Sequence, residues 1–180
     1  MNVNTLTGTC IWEARLAAED DLKTIIEQER ALVFEQFDED TAFAIGGHVR
    51  EAAKLLGKGV AVGVYLWDRT MFYGATKGAS AGNRGWVERK AKLVQLQMKS
   101  SYRIVLERGD KPRMLEESWA ISATEYAIAG GAFPIMVKGI GPVGAAVASG
   151  LSERDDHEIV RAAICRVLGK DPSYLALDKV

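Results

Sequence analysis

A histidine surrounded by carboxylates lies near the end of the sequence. His157 follows Asp155 and Asp156 and precedes Glu158. A histidine beside acids can serve as a ligand or as a general acid or base, so His157 and Asp156 are the candidate catalytic residues. At helical spacing, however, His157 falls in line with Ile164 at the edge of an apolar stripe, and we favour a partly buried structural histidine there.

The residues just before this histidine also carry a helix signal. Ser152 and Asp155 stand in the S/T-x-x-D/E pattern, in which side chains cap the first backbone N–H groups of a helix. Acids in the first turn also face the positive end of the helix dipole. At least part of the acidic run is therefore expected to start a helix rather than to perform chemistry.

A second group of chemical interest lies on a helix predicted to begin at Trp86. One apolar line of this helix can pack against the core and consists of Val87, Ala91, Val94 and Met98. A second cluster places Trp86 and Leu93 beside Arg89, Lys90 and Gln97. The second cluster predicts a subunit interface or a pocket for an anion. The alternative is that the two cations only extend their side chains over apolar surface.

A pair of glycines marks a further segment of interest. Tyr126 precedes Gly130, Gly131, Phe133 and Pro134 in the chain. Paired glycines and a proline beside aromatic residues predict a bend of the backbone where a strand begins. This segment is either part of a binding site or a strand entry with exacting steric needs.

A G-x-G-x-x-G pattern occurs at Gly139, Gly141 and Gly144. A dinucleotide site would need a helix directly after these glycines and further parallel strands beyond it. Only 36 residues follow Gly144, and residues 143–149 suit a strand. We therefore expect a tight turn between two strands and no NAD. The glycine-rich residues 78–85 lack the Lys-Ser/Thr ending of a phosphate-binding loop, and we expect an ordinary loop there.

The composition is that of a soluble globular protein of 180 residues, with 48% hydrophobic and 26% charged residues. Lys and Arg number 23 against 24 Asp and Glu, so no global field would attract nucleic acid or a membrane surface. Cys10 and Cys165 stand alone, which predicts reduced thiols and no metal site. The start of the chain lacks a signal-peptide pattern, so we expect a cytoplasmic protein.

The pattern of apolar residues predicts one domain over residues 1–180. Asp38 is expected to cap a helix that Gly57 ends. The predicted helices cover residues 12–30, 39–56, 86–100 and 153–168. The predicted strands cover residues 31–37, 60–67, 71–76, 132–138 and 143–149. An asymmetric order of this kind favours an antiparallel or mixed sheet with helices packed against it.

Several segments in combination resemble one known family. They are residues 37–42 at a helix start, 86–90, 100–102, 130–135, 149–151 and 156–158. The chain is similar to the small HbpS/GlcG-like proteins, often described as heme-degrading domain proteins. The resemblance covers a core of about residues 16–168. It implies an α+β, profilin-like single domain with a central antiparallel sheet of about five strands flanked by helices, and a homo-oligomer.

The resemblance also implies a set of ligand-binding residues. The positions that match the family are Trp86, Arg89, Lys90, Tyr126, Gly130, Gly131, Phe133, Pro134 and His157. The chain departs from many relatives at Tyr73 and Ala129, where those proteins carry histidine. These departures reduce the set of groups that can hold iron.

Three functions follow as hypotheses. In the leading one, the protein binds a small anionic ligand, with heme as the cofactor that the family implies. Arg89 and Lys90 would pair its carboxylates, Trp86 and Phe133 would form an apolar wall, and His157 or Tyr126 would reach iron. The second hypothesis is an assembly module without catalytic activity that acts through its oligomer surface. The third is an enzyme for oxidative heme breakdown or turnover of a small acid.

Overall fold

The computed structural model describes residues 5–109, 111 and 121–178, with side chains from residue 16 onward. The thiol of Cys10 lies outside the described side chains. The helices are α1 (Thr5–Ala31), α2 (Glu39–Leu55), α3 (Ala81–Gln97), α4 (Ser101–Arg108) and α5 (Glu153–Val167). The strands are β1 (Val33–Phe34), β2 (Ala61–Leu66), β3 (Arg69–Ala75), β4 (Ala132–Val137) and β5 (Gly141–Ser149).

The strands form a five-stranded sheet in the order β1-β4-β5-β2-β3. β2 pairs antiparallel with both β3 and β5, and β4 pairs antiparallel with β5. The α+β class and the five strands are confirmed. The sheet is mixed rather than wholly antiparallel because the short β1 runs parallel to β4.

Helices cover both faces of the sheet. On one face, Val62 and Val64 of β2 belong to the core that α2 and α5 complete. On the other face, Ala61 of the same strand packs with Val87 and Val94 of α3. Burial on both faces explains why β2 is apolar at every position, since neighbouring side chains of a strand point to opposite faces.

The predicted ends of two helices are confirmed. Asp38 Oδ1 accepts hydrogen bonds from the N–H and the hydroxyl of Thr41 at the start of α2. Gly57, with φ of 64°, follows the end of the same helix. Ser152 Oγ accepts from the Asp155 N–H at the start of α5. Local side-chain chemistry is sufficient to set these ends.

One prediction about the middle of the chain is wrong, and one helix there was not predicted. α3 begins at Ala81, not at Trp86, so most of the predicted loop 78–85 is helical. The N–H and hydroxyl of Ser80 both donate to Asn83 Oδ1, and this pairing starts the helix despite its glycines. α4 has no counterpart among the predicted elements.

The glycine pattern at Gly139, Gly141 and Gly144 lies in the turn between β4 and β5 and in β5 itself. Gly139 and Gly141 have positive φ angles of 74° and 97°. The predicted strand turn is confirmed, and the helix start that a pyrophosphate site requires is not at this place. Among the described helices, none is long and apolar enough to cross a membrane.

Candidate ligand-binding pocket

A pocket of about 850 Å³ lies between α3, the end of β5, the start of α5 and residues 121–129, which we call the wall segment. Small-molecule pockets commonly measure about 300–1,000 Å³. Much of the lining is apolar and comes from Ile121, Ala127, Ile128, Ala129 and Leu151. The size and the lining suit a small organic molecule.

Arg89 of α3 stands in this pocket against an aromatic ring. Its guanidinium carbon lies 4.2 Å from the centre of the Trp86 ring. Its Nε donates to Gly85 O at 3.2 Å, and its Nη1 donates to Ala123 O at 3.4 Å. Among the described residues, no carboxylate pairs with Arg89. The stacking and the backbone contacts hold a cation in place without neutralising it.

Lys90 and Asp156 form an ion pair at the base of the pocket. Lys90 Nζ lies 3.0 Å from Asp156 Oδ2, and both side chains are almost wholly buried. Lys90 Nζ also donates to Ala148 O, while Asp156 Oδ1 accepts from Leu151 N–H. Gly150 N–H donates weakly to Asp156 Oδ2 at 3.4 Å. The pair joins α3 to α5 and holds the chain between β5 and α5.

The paired glycines lie directly behind this ion pair. Gly131 has a φ of 114°, and a Cβ there would lie 2.7 Å from Asp156 Cβ and 2.9 Å from Lys90 Nζ. A Cβ on Gly130 would lie 2.8 Å from Glu153 Cβ. Both positions therefore need glycine so that the backbone can approach the charged side chains. Their role in the site is to permit this close packing.

The wall segment is attached to α3 at the protein surface. Lys92 Nζ donates to Glu125 Oε1 at 3.1 Å and lies 5.9 Å from the centre of the Tyr126 ring. Arg89 adds its contact with Ala123 O. The following Ile128 is buried, so the wall segment is fixed at its C-terminal end by apolar packing and along its length by polar contacts.

His157 and Phe133 lie in the interior rather than on the pocket surface, and both are wholly buried. His157 Nε2 lies 2.7 Å from Gln28 Oε1, and Gln28 Nε2 donates to Leu175 O. This orientation of the Gln28 amide makes His157 Nε2 the donor. Burial, assisted by the positive charge of Arg161, lowers the pKa of His157 to about 3. The histidine is therefore neutral near pH 7.

The structure thus separates the predicted site residues. Trp86, Arg89, Lys90, Tyr126 and Asp156 come together around the pocket. Gly130 and Gly131 support it from behind. Phe133 does not form part of the pocket wall, and His157 does not face the pocket as an iron ligand would, because neither side chain reaches it. Lys90 is also held by Asp156, so it differs from the expected free partner of a ligand carboxylate.

Sequence reasoning missed other lining residues, among them Asn83, Ile128 and Glu153. Asn83 Nδ2 donates to Ser149 O and so joins α3 to the end of β5. The Ser80-x-x-Asn83 capping pattern was a signal that could have found it. Glu153 Oε1 accepts from the Gly130 N–H at 3.0 Å. No sequence signal indicated that Ile128 lines the pocket, because the wall segment lacks a periodic pattern of apolar residues.

The donor atoms of the pocket limit its metal chemistry. No group of three or more His, Cys, Asp and Glu side chains suited to a metal ion occurs within residues 16–109, 111 and 121–178. Tyr126 is the single described lining residue of a type that ligates haem iron, a set that comprises His, Cys, Met and Tyr. Cys165 is buried, and burial raises the pKa of its thiol.

Known proteins are similar to this chain in sequence and in fold. A UPF0303 protein of Brucella anthropi is 43% identical over 169 residues, which are 92% of this chain and 100% of that protein. The crystal structure of the Ybr137w protein matches with a TM-score of 0.77 at 24% identity, over 90% of this chain and 98% of that one. The HbpS crystal structure matches with a TM-score of 0.61 at 23% identity, over 74% and 91%.

These two structures confirm the fold alone, because their sequence identities are low. A family model supplies the remaining evidence. The model described as haem degrading protein HbpS-like matches residues 37–165, which is most of the chain and includes α2, the sheet from β2 onward and nearly all of α5. The chain therefore belongs to the HbpS-like family of haem degrading proteins.

Proposed function

We propose that this protein is a cytoplasmic homo-oligomer that binds a small organic anion in the pocket between α3, α5 and the wall segment. One observation carries the proposal: Arg89 lies in a pocket of about 850 Å³ without a carboxylate partner among the described residues. A guanidinium in that state recognises a carboxylate through charge-assisted hydrogen bonds.

Other side chains would orient the ligand. Trp86 holds the Arg89 guanidinium by stacking and presents apolar surface beside it. Ile128 and Leu151 would exclude water from the body of the ligand, which strengthens the charge interaction. The buried pair of Lys90 and Asp156 would keep the base of the pocket in shape.

Heme is the ligand that the family description implies, and hemin is therefore included in the test. The described lining residues do not fit histidine-ligated haem, because none of them is a histidine. His157 is wholly buried elsewhere, and Ala129 stands in the lining. The proposed function is therefore the binding of the anion, without a role for iron.

Arg89→Met is expected to weaken binding of organic acids by at least about tenfold, because a hydrogen bond to a charged group is lost. Isothermal titration calorimetry with benzoate, 2-naphthoate and hemin measures this. Arg84→Met is the matched control, since Arg84 lies on the same helix but pairs with Glu88 outside the pocket lining. The proposal fails if no acid binds saturably or if the two variants bind equally well.

A second candidate function is assembly through the open edge of the sheet. β3 is an edge strand, and its Phe72 stacks edge-to-face with Phe43 of α2 at a centroid distance of 5.5 Å. Phe43 remains 59% exposed. An aromatic pair with an exposed ring beside an edge strand is typical of a surface that a partner covers.

Phe43→Ser is expected to lower the molar mass of the homo-oligomer, because it removes apolar surface next to β3. Multi-angle light scattering measures the mass. Ile140→Ser is the control, since Ile140 is 74% exposed at the turn after β4, which β5 and β2 separate from β3 in the sheet. A wild-type protein that elutes as a monomer would contradict the assembly function.

A further inference from the structure

We infer that residues 172–178, which we call the strap, position the pocket and raise its affinity for the ligand although none of them lines it. No strap residue belongs to the described lining. The inference rests on the proposed function, because it concerns the binding of an organic anion in the same pocket. Buried contacts attach the strap to α1 and α5, and two sets of contacts lead from these attachments to the lining.

Arg161 of α5 holds the first part of the strap. Its Nη1 donates to Tyr174 O at 2.8 Å, and its Nη2 donates to Pro172 O at 2.9 Å. The same guanidinium pairs with Glu158, and the Arg161 side chain is only 3% exposed. Hydrogen bonds from a charged donor are stronger than those between neutral groups, so the strap is held firmly at this end.

The second part of the strap is held by side chains of two helices. The buried amide of Gln28 in α1 donates through its Nε2 to Leu175 O at 2.7 Å. The N–H of Leu177 donates to Glu158 Oε2 at 3.2 Å. Leu175 has a φ of 53°, a conformation that is unfavourable for leucine and persists only where surrounding contacts enforce it. Loss of contacts here would therefore let the strap relax away from the helices.

The side chain of Leu177 connects the strap to the wall segment. It is buried in one hydrophobic cluster with Ile128, Ile25 of α1, Leu93 of α3 and Tyr102 of α4. Ile128 also lines the pocket. Close packing fixes the side chains of such a cluster, and a cavity at Leu177 would let its neighbours shift. The surface that Ile128 offers to a ligand therefore depends on the docked strap.

Gln28 connects the strap to the base of the pocket. Its Nε2 donates to the strap, while its Oε1 accepts from His157 Nε2 at 2.7 Å. His157 directly follows Asp156 in α5, and Asp156 holds Lys90 at the base of the pocket. One buried amide thus joins the strap to the helix turn that carries the ion pair.

The variant Leu177→Ala tests the connection through the wall segment. The probe is 2-naphthoate, replaced by benzoate or hemin if it does not bind. We expect its affinity, measured by isothermal titration calorimetry on the full chain, to fall by at least about fivefold. Tyr174→Ala is the matched control, because it shortens an exposed strap side chain and keeps the backbone oxygen that Arg161 binds. It should bind the probe within about twofold of the wild type. Circular dichroism confirms that both variants are folded during the titration.

Hydrogen exchange of the unaltered protein gives a reciprocal measurement. If the docked strap favours the ligand, the bound ligand must favour the docked strap by the same factor. Saturating probe should therefore slow the exchange of the Leu177 N–H by at least about fivefold. The Leu56 N–H, which bonds to Ala52 O at the end of α2, should exchange at an unchanged rate. In Arg89→Met the probe should slow neither amide.

The inference requires both results, and this separates it from the proposed function. Binding that depends on Arg89 but not on Leu177 overturns the inference and leaves the anion site standing. Exchange at Leu177 that the probe does not slow has the same consequence, because weaker binding in Leu177→Ala would then reflect a general loss of structure. Failure of 2-naphthoate, benzoate and hemin to bind saturably removes both the proposed function and the inference.

Discussion

Replacing Asp156 by alanine is expected to lower the free energy of unfolding by about 3–5 kcal/mol. The substitution leaves the buried Lys90 ammonium without its anion. It also removes the acceptor of the Leu151 N–H and so releases the chain between β5 and α5. Removing one member of a buried pair costs more than the pair contributes, because an uncompensated charge stays in the interior.

Urea unfolding at pH 7, followed by circular dichroism, measures this loss. Glu125→Ala is the control, because Glu125 also pairs with a lysine of α3 but at the surface, where such pairs contribute below about 1 kcal/mol. In the double variant Lys90→Met/Asp156→Ala, the loss should be smaller than the sum of the two single losses. Additive losses would show that the two charges do not interact.

The second large effect is a loss of folding stability at acid pH that depends on His157. Burial keeps the pKa of His157 at about 3 in the folded protein, against an ordinary value of 6.5. Between these values the unfolded chain binds a proton that the folded chain does not bind. Folding stability linked to His157 is therefore complete above about pH 6.5 and decreases as the pH falls toward 3, by about 3 kcal/mol at pH 4.

The variant His157→Gln separates this effect from other acid effects. A glutamine amide can donate the same hydrogen bond to Gln28 Oε1 but does not titrate. Urea unfolding at several pH values between 7 and 4 should show a smaller pH-dependent loss in the variant than in the wild type. His48→Gln is the control on the exposed surface of α2. An unchanged pH profile in His157→Gln would show that the histidine takes up its proton in the folded protein.

These two effects also explain how the pocket is held. The base of the pocket rests on Lys90 and Asp156, and the next residue of α5, His157, contacts Gln28 of α1. The ring of His157 also lies 5.5 Å from Phe133 and 5.6 Å from Tyr102 between ring centres. The start of α5 is thus attached both to α3, which carries Arg89, and to α1.

The family resemblance and much of the fold could be predicted from the sequence. The resemblance to HbpS-like proteins is confirmed by the family model over residues 37–165. The start of α2 at Asp38 and the start of α5 at Ser152 are also confirmed, because a cap depends on residues within a few positions of each other. α3 begins five residues before the predicted start at Trp86, since the Ser80 and Asn83 pairing outweighs the weak helix preference of nearby glycines.

The residue types available to the site follow from the sequence alone: an aromatic helix face with cations, a pair of glycines and an acidic helix start. Which of these residues come into contact depends on how the chain folds. Lys90 and Asp156 are 66 residues apart, and their pairing removes one predicted ligand partner. His157 turns toward Gln28, which is 129 residues away, instead of toward the pocket. Sequence spacing defines neighbours within a helix, whereas partners across the core depend on how the helices pack against the sheet.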